Sequence, residues 1–184
     1  NVVIFDCEFL DNRIMQFMGT ENRGGAVYSD NSVVDFFNSY GILNQASGFM
    51  NDIQGGFLFG IDSWIELLNC NIYDNTAKAS STVDASISLI SSTLTAKRSI
   101  LRGNGDLGLF EVKLAQNSHL IAKSSNIQGL QQGINLDETS SALWETGNID
   151  VRSKYAIGPR GVHYLWQVSA GQPENCACVN GDNE

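Results

Sequence analysis

The sequence predicts an all-β chain folded as a right-handed, single-stranded parallel β-helix, a solenoid of about six coils that ends in a C-terminal β-hairpin cap. Two observations support this prediction. The segment "GGAVYSDNSVVDFFN" (24–38) returns as "GGFLFGIDSWIELLN" (55–69), with its chemistry kept and most letters changed. Within each copy, apolar and polar residues also alternate, which is the period of a β-strand.

The repeat continues along most of the chain. Taking "SWIELLNCNIYDN" as the template, copies are recognisable at 32–44, 92–104 and 118–129, with a decayed copy at 141–150 and a partial one at 7–12. The spacings between copies are roughly 31, 29, 26 and 22 residues. A sandwich or a propeller is the alternative fold. Unequal spacing favours a solenoid, because insertions can bulge out between strands whose register is retained.

The alternation predicts which residues line the interior of the solenoid. Each full coil is expected to contain three short strands, with one apolar face turned inward. Asn38 and Asn69 fall at the same corner and are expected to form a short amide ladder. The Gly-Gly pairs at 24–25 and 55–56 let the backbone turn sharply into the next strand. The predicted core residues are Phe9, Val34, Phe36, Ile65, Leu67, Ile72, Leu94, Ala96, Leu120 and Ala122.

The repeat also sets the expected domain organisation. Residues 1–150 are predicted to form the coils, as a fragment of a larger β-helix. Residues 151–170 contain two aromatic-rich runs around a Gly-Pro-Arg-Gly turn, which predicts an antiparallel hairpin that caps the last coil or leads the chain out of it. Residues 171–184 are expected to be a linker into a cysteine-containing segment.

Composition argues against several classes of protein. The formal net charge is −9 with only 11 Lys and Arg residues, so a basic nucleic-acid-binding surface is not expected. No apolar run approaches the roughly 18 residues of a membrane span. The chain opens without Met or a signal pattern, so any targeting segment is expected outside it. No cofactor is predicted.

An outward-facing apolar stripe is the clearest candidate for a binding surface. Val33 and Phe37, then Trp64 and Leu68, occupy outward positions that are mostly polar in later copies. Such a stripe predicts a lateral contact with another chain or with the rest of the polypeptide. The alternative is that the loop at 45–54 folds over it. In the first case, charged substitutions at Phe37 and Leu68 are expected to weaken assembly while leaving the fold intact.

Two acids on the same face are candidates for a weaker site. Asp35 and Glu66 are predicted to stack on adjacent coils, where two carboxylates could bind a sugar or Ca²⁺, or pair for acid/base chemistry. No basic residue is expected in register beside them, and a solvated acidic rim is the other interpretation. Lys97 and Lys123 also align across coils, which is expected to keep that part of the face soluble.

The four cysteines divide into two pairs. Cys7 and Cys70 occupy the same repeat position two coils apart, about 10 Å at the usual strand spacing. A disulfide cannot span that distance, so both are predicted to be free, buried thiols. Cys176 and Cys178 are expected to pair with cysteines outside this segment. The cysteines and the two histidines, His119 and His163, have no zinc-site spacing, so no metal is predicted.

Two short motifs resemble a known family. "FLDN" (9–12) followed by "GGAV" (24–27) is similar to the F-x-x-N and G-G-A-[ILV] repeats of chlamydial polymorphic membrane proteins. That resemblance implies a β-helical autotransporter passenger with an adhesin role, at the cell surface or outside the cell. Similar repeats occur in large surface proteins of bacteria and protists. The β-helix also hosts pectin lyase-like enzymes, so a catalytic role is the competing implication.

Two hypotheses for function follow. The first is a non-catalytic extracellular module, a rigid stalk, filament component or adhesin with a lateral protein-contact face. The second is a carbohydrate-binding or carbohydrate-active β-helix that acts on surface glycans through the Asp35 and Glu66 face. A groove lined by those acids and by aromatic side chains favours the second, and a covered apolar face favours the first.

Overall fold

The computed structural model describes residues 1–16, 22–48, 53–79, 83–104, 110–158, 161–165, 167–174 and 176. In these residues the chain is all-β and winds as a parallel β-solenoid, as predicted. Three sheets run along its length, and a fourth, shorter sheet lies beside the first coils. The only antiparallel pairings between strands of the described residues are one short pair in that side sheet and the C-terminal hairpin.

The first three coils carry the most strands. The first coil contains β1 (Val2–Phe5), β2 (Glu8–Leu10), β3 (Arg13–Gln16) and β4 (Asn22–Arg23). The second contains β5 (Val27–Asp30), β6 (Val33–Phe37), β7 (Tyr40–Ile42), β8 (Gln45–Gly48) and β9 (Ile53–Gln54). The third contains β10 (Leu58–Ile61), β11 (Trp64–Leu68), β12 (Asn71–Tyr73), β13 (Thr76–Ala79) and β14 (Val83–Asp84).

Later coils are shorter. The fourth coil contains β15 (Ile87–Ile90), β16 (Thr93–Lys97) and β17 (Ile100–Arg102), and the fifth contains β18 (Val112–Ala115), β19 (His119–Lys123) and β20 (Asn126–Ile127). The last, partial coil contains a 3₁₀ turn (Leu130–Gly133), β21 (Ile134–Leu136) and β22 (Ser141–Trp144). A hairpin of β23 (Tyr155–Gly158) and β24 (Gly161–Leu165) and a second 3₁₀ turn (Val168–Ala170) follow.

The three long sheets define the solenoid. Sheet A is β1-β6-β11-β16-β19-β22, sheet B is β2-β7-β12-β17-β20, and sheet C is β5-β10-β15-β18-β21. The side sheet is β3-β8-β13-β14. Sheet C begins one coil later than sheet A, and sheet B ends one coil earlier. The complete turns therefore number about four, fewer than the six expected from the repeat.

The side sheet explains why the repeat shortens along the chain. Equivalent corner serines are separated by 31, 29, 26 and 22 residues from coil to coil. The longer coils send out the strands of the side sheet, which pack a small core of Ala46, Ile53 and Ala77. The described residues of the fourth and fifth coils contain none of these strands. The insertions are therefore ordered pairing elements rather than irregular bulges.

The core is the one that the alternation predicts. Nine of the ten predicted core residues are buried in one apolar cluster, and Phe9, in the first coil, is half-buried against it. Register is also as expected, because Val34 pairs with Ile65, Ile65 with Leu94 and Leu94 with Leu120. Adjacent coils stack at a spacing of about 4.8 Å. A shift in register of one residue is excluded because it would turn the apolar core side chains toward solvent.

Each corner of the solenoid follows a two-residue rule. A residue with positive φ turns the chain, as in Asn38 (φ 50°) and Asn69 (φ 55°), and the residue after it points inward. That second residue accepts a hydrogen bond from the corner backbone of the preceding coil, for example Ser63 N–H to Ser92 Oγ at 3.0 Å. The backbone N–H groups that would be unpaired at a corner therefore donate to side chains of the next coil, and these hydrogen bonds form a column along the solenoid. Asn38 and Asn69 also form the expected amide contact, at 3.2 Å.

The Gly-Gly pairs have the predicted role. Gly24 and Gly55 both have φ 70°, where a side chain is strained. Their neighbours are glycines for a different reason. A Cβ on Gly25 would lie 2.1 Å from the carbonyl oxygen of Gly56, so adjacent coils touch through their backbones at this position.

The C-terminal hairpin forms as predicted, but the described contacts around it lie on the side of the solenoid rather than over its last coil. The segment before it runs back along the outside of sheet B, where Asn126 donates to the carbonyl of Val151 at 2.8 Å. Tyr155 then reaches the third coil, where its hydroxyl lies 3.1 Å from Asn71 Oδ1 and its ring stacks on Tyr73 at 5.1 Å. The described contacts thus place the hairpin's start on the flank of the solenoid. That the hairpin covers the last coil stays a prediction.

Candidate functional site

The outward face of sheet A carries the predicted apolar stripe. Val33, Phe37, Trp64 and Leu68, together called the contact face, lie on β6 and β11 in direct register. Trp64 is 52 % exposed and the other three are half-buried, largely because they flank one another. Their neighbours in sequence, Val34, Phe36, Ile65 and Leu67, fill the core. Strand alternation therefore forces these apolar side chains outward.

The structure extends the contact face by one coil. Val3 and Phe5 of β1 point outward in register with Asp35 and Phe37, and both are exposed. The rings of Phe5 and Phe37 lie 6.3 Å apart. The repeat-based alignment began at Cys7 and did not include β1. The "NVVIF" stretch (1–5), aligned with "VVDFF" (33–37), is the signal that could have found it.

The described parts of the loop at 45–54 do not cover this face. Gln45–Gly48 forms β8 of the side sheet, and Ile53–Gln54 forms β9, which pairs with β4. Neither strand lies in sheet A or over it. Residues 49–52 lie outside the described part of the chain. The two described strands of this loop therefore leave the side chain of Trp64 exposed to solvent.

The two candidate acids are adjacent, but one of them is paired. Asp35 and Glu66 are in direct register, as predicted, followed by Thr95 and Ile121. No basic residue stands in register with them, as expected, but Lys97 Nζ lies 3.1 Å from Glu66 Oε1 by a diagonal contact. Lys97 lies on the coil after Glu66, opposite Leu68, and its side chain reaches back diagonally to Glu66. Register alone did not find this pair because long side chains span diagonal neighbours.

Both aligned lysines have acidic partners. Lys123 Nζ lies 3.3 Å from Oε2 of Glu145, which stands directly opposite it on the following coil. The aligned lysines are therefore ion-paired rather than a repelling pair. The outer face of sheet A changes from apolar in its first three strands to polar and charged in the next two. The contact face therefore ends at β11, and the next strand, β16, carries the charged Lys97.

A groove borders the contact face at the corner between sheets C and A. It has a volume of about 500 Å³ and includes the indole of Trp64 in its wall. The corner residues Asn31 and Asp62 and the hydroxyl of Ser91 stack along it, one from each coil. An exposed aromatic ring beside amide, carboxylate and hydroxyl groups has the chemistry that a polar ring-shaped ligand needs.

The deepest column of polar side chains is one that the repeat analysis missed. Asn12, Asn44, Asn75 and Asn104 follow one another at the corner where sheet B ends, and form the asparagine ladder. The side-chain oxygens of Asn44, Asn75 and Asn104 each accept two hydrogen bonds from the coil before them. Asn75 Oδ1, for example, accepts from the N–H of Asn44 at 2.9 Å and from its Nδ2 at 2.8 Å.

A buried carboxyl group ends this ladder. Asn104 Nδ2 donates to Glu111 Oε2 at 2.6 Å, and Glu111 is 1 % exposed. Burial raises the pKa of Glu111 to about 8, against the hydrogen bonds from Asn104 and the charge of Arg102, which lower it. Glu111 aligns with the buried Ser86 one coil earlier. It occupies a core column, so its chemistry is structural.

The cysteines differ in state. Cys7 and Cys70 are free, as predicted, but Cys7 is exposed because no described coil covers its corner. Cys70 is buried, which raises its pKa to about 11. Cys176 is buried and takes part in a disulfide bond within this chain, which corrects the expectation of a partner outside it. Cys178 lies outside the described residues.

Metal ligands and histidines are the last groups to place. The described residues contain no group of three His, Cys, Asp or Glu side chains placed to hold a metal ion. His119 Nδ1 lies 2.8 Å from Ser141 Oγ on an exposed edge, and the side chain of His163 lies outside the described part. None of the described helices is both long and apolar enough to cross a bilayer. Comparisons with family models, curated proteins and solved structures find no match.

Proposed function

We propose that this chain is a non-catalytic structural and adhesion module of an extracellular or cell-surface protein, a rigid β-helix that binds another protein through the contact face. The observation that carries the proposal is the outward apolar surface on the first strands of sheet A, centred on Trp64. Surfaces of this kind on soluble proteins mark interaction sites. Aromatic side chains such as Trp64 and Phe37 are also the residues that dominate binding energy at interfaces.

Rigidity supports a stalk role. Corner side chains link every coil to the next through columns of hydrogen bonds, so a coil cannot move without breaking several of them. The six strands of sheet A span five steps, roughly 24 Å at the usual strand spacing. A solenoid of this kind keeps its contact face flat and at a fixed distance from its ends.

Two observations support an extracellular or cell-surface location for this chain: a disulfide bond and a resemblance in sequence. The disulfide at Cys176 fits an oxidising compartment, where such bonds persist. The similarity of "FLDN" and "GGAV" to chlamydial polymorphic membrane protein repeats favours a surface adhesin. In this chain the motif residues have mechanical roles, since Asn12 begins the asparagine ladder and Gly24 turns the backbone.

An adhesion assay tests the proposal. Beads coated with the chain are expected to bind cultured epithelial cells, and the double variant Phe37→Asp/Leu68→Asp is expected to bind at least tenfold less. The matched control is Ile121→Asp/Leu143→Asp, which places the same charges on the same sheet beyond the contact face. Equal loss in the control, or no loss in the test variant, contradicts the contact face. Circular dichroism confirms that both variants remain folded.

A carbohydrate-binding role is the second candidate, favoured by the groove at Trp64. Its polar wall and exposed indole suit stacking of a sugar ring with hydroxyl contacts to Asn31 and Asp62. If glycans are the ligand, periodate treatment of the cells removes bead binding, and Asp62→Asn with Asn31→Ala reduces it. If protein is the ligand, protease treatment of the cells removes binding instead. A lyase or hydrolase activity has no such supporting observation.

A further inference from the structure

A carboxylate stands at the centre of the contact face. Asp35 lies on β6 between the outward side chains of Val33 and Phe37. In the neighbouring strands its partners in register are Val3 and Glu66. Asp35 is half-buried by these neighbours. A partner that covers the contact face must therefore also cover this carboxylate.

The two acids of this part of sheet A differ in their partners. Glu66 Oε1 lies 3.1 Å from Lys97 Nζ. Among the described residues, the carboxylate of Asp35 takes part in no hydrogen bond or ion pair. A negative charge with no cation beside it becomes costly when water is removed from it. A partner that binds here must therefore supply the missing cation.

The surroundings of the contact face are acidic. On sheet A and next to the corners that border it, the acidic residues described in the first three coils are Asp6, Asp30, Asp35, Asp62 and Glu66. The described basic residues of the same coils lie outside sheet A, on β3, β4 and β13, and are Arg13, Arg23 and Lys78. Lys97, on the fourth coil, is the first described basic side chain along this sheet. The negative charge around the contact face therefore attracts a basic partner.

A second copy of this chain does not fit the contact face. Two such faces brought together would set Asp35 and Glu66 of one copy against the same acids of the other. Like charges across an interface lower affinity, and burial strengthens their repulsion. The same acidity disfavours an anionic lipid surface. A basic protein is therefore the partner that the charge of this face favours.

The backbone of the contact face has its partners already. β6 pairs with β1 and β11, and β11 pairs with β6 and β16. A partner strand therefore cannot be added to sheet A here by backbone hydrogen bonds, and recognition depends on side chains. Outward side chains that are two residues apart on β6 lie about 7 Å from one another.

We infer that the partner of the contact face is a protein segment that places an Arg or Lys side chain between apolar side chains. The cation pairs with Asp35, and the flanking apolar groups cover Val33 and Phe37, about 7 Å to either side. An Arg guanidinium at this place is also near enough to stack on the indole of Trp64, which lies on the adjacent strand opposite Val33. The inference rests on the proposed adhesion role of the same face and adds the chemistry of what it binds.

A charge reversal at Asp35 separates this specific pairing from a general attraction to an acidic chain. Asp35→Lys and Glu138→Lys change the net charge by the same amount, but Glu138 is exposed in the turn after β21, away from the contact face. Phe37→Asp/Leu68→Asp removes apolar groups from the face and adds acids to it. A partner held by charge alone would bind that double variant more tightly.

Selection from a phage library of random 12-residue peptides against the immobilised chain tests the inference. Peptides recovered on the original chain are expected to be at least about threefold richer in Arg and Lys than the unselected library, with Leu, Ile, Phe or Trp beside them. The same enrichment is expected on Glu138→Lys. On Asp35→Lys it is expected to disappear and Asp and Glu to be enriched instead, because the face then presents a cation.

Synthetic copies of the recovered peptides measure the affinities by fluorescence anisotropy. They are expected to bind Asp35→Lys and Phe37→Asp/Leu68→Asp at least about tenfold more weakly than the original chain. Their affinity for the original chain is expected to fall as ionic strength rises, because salt screens the attraction. Circular dichroism checks that each variant is folded. If Asp35→Lys does not fold, Asp35→Asn removes the charge with little change of shape and is expected to weaken binding in the same direction.

Three outcomes would overturn the inference. They are recovery of no peptide on the original chain, recovery of peptides without enrichment in Arg and Lys, and equal binding of the recovered peptides to Phe37→Asp/Leu68→Asp. The cell-adhesion assay asks whether the contact face binds, not which chemistry it binds. If that double variant loses adhesion while the peptides show no basic preference, the proposed function stands and the inferred chemistry of the partner is wrong.

Discussion

Asn104 donates a 2.6 Å hydrogen bond from Nδ2 to Oε2 of Glu111, and both side chains are buried. This contact joins the end of the asparagine ladder to a carboxyl group inside the solenoid. An amide N–H requires only an acceptor, so the protonated carboxyl fulfils the role without a charge. A neutral Glu111 is the form that burial favours.

The first prediction concerns pH. Burial raises the pKa of Glu111 to about 8, above its ordinary value of 4.5, so the folded state holds a proton that the unfolded chain releases. Stability is therefore greatest below the unfolded pKa and falls as pH rises through about 8. The loss attributable to this group is on the order of a few kcal/mol.

Urea unfolding at pH 5, 7 and 9 measures this dependence. Glu111→Gln keeps an acceptor for Asn104 and cannot ionise, so its stability is expected to decline less between pH 5 and pH 9. The matched control is Glu138→Gln on the surface, which leaves the slope of the original chain unchanged. Identical pH slopes for Glu111→Gln and the original chain would contradict the assignment.

The second prediction concerns the asparagine ladder. Asn75→Ala removes the acceptor for the backbone and side chain of Asn44, and the donor to the carbonyl of Gly41. Leaving buried groups unpaired is expected to destabilise the chain by about 2 to 4 kcal/mol. Asn135→Ala, on the outer side of β21, is expected to change the free energy of unfolding by less than about 0.5 kcal/mol. Equal effects of the two substitutions in urea unfolding would show that the ladder does not contribute.

The third prediction concerns the free thiols. Cys7 is exposed and is expected to react with a maleimide within minutes in the folded chain. Cys70 is 2 % exposed, its pKa is raised to about 11, and it accepts a hydrogen bond from the backbone of Ser39. It is expected to react only when the chain unfolds, since the thiolate is the reactive form. Mass spectrometry of labelled peptides checks both rates, and rapid labelling of Cys70 would contradict the corner structure.

The fourth prediction concerns the backbone contact between coils. A Cβ on Gly56 would lie 2.4 Å from the carbonyl carbon of Thr76, where only backbone atoms could move aside. Gly56→Ala is therefore expected to lower the melting temperature strongly. Gly171→Ala, where no atom lies within 4 Å, has only its φ of 82° to disfavour it and serves as the control. A smaller effect at Gly56 than at Gly171 would contradict the stacking.

The sequence predicted the solenoid because alternation and a fixed repeat act together. The positions of Val34 and Ile65 in each copy were sufficient to give the strand faces, the core and the coil-to-coil register. The contact face followed from the same alternation. Phe9 and Cys7 were predicted to be buried and are partly or fully exposed, because the first coil has no described coil above it.

Other features could not be predicted from alternation. The corner rule depends on which of two adjacent polar residues points inward. The two residues of a pair such as Asp74 and Asn75 have similar hydropathy, so hydropathy does not distinguish them. The Lys97–Glu66 pair depends on diagonal reach of a long side chain. Glu111 entered the core because the ladder requires an acceptor at its end. Each of these is a relation between coils, which a pattern within one coil does not contain.

The central claim is that the coils stack in parallel and in the stated register, since that register builds both the core and the contact face. Oxidation of Thr93→Cys/His119→Cys, followed by mass mapping, tests it most directly. These residues are direct partners on adjacent coils, about 4.8 Å apart, which a disulfide spans. The prediction is a 93–119 disulfide in the double variant, and none in Trp64→Cys/His119→Cys, whose positions lie two coils apart. A disulfide in the second variant with none in the first would contradict the register.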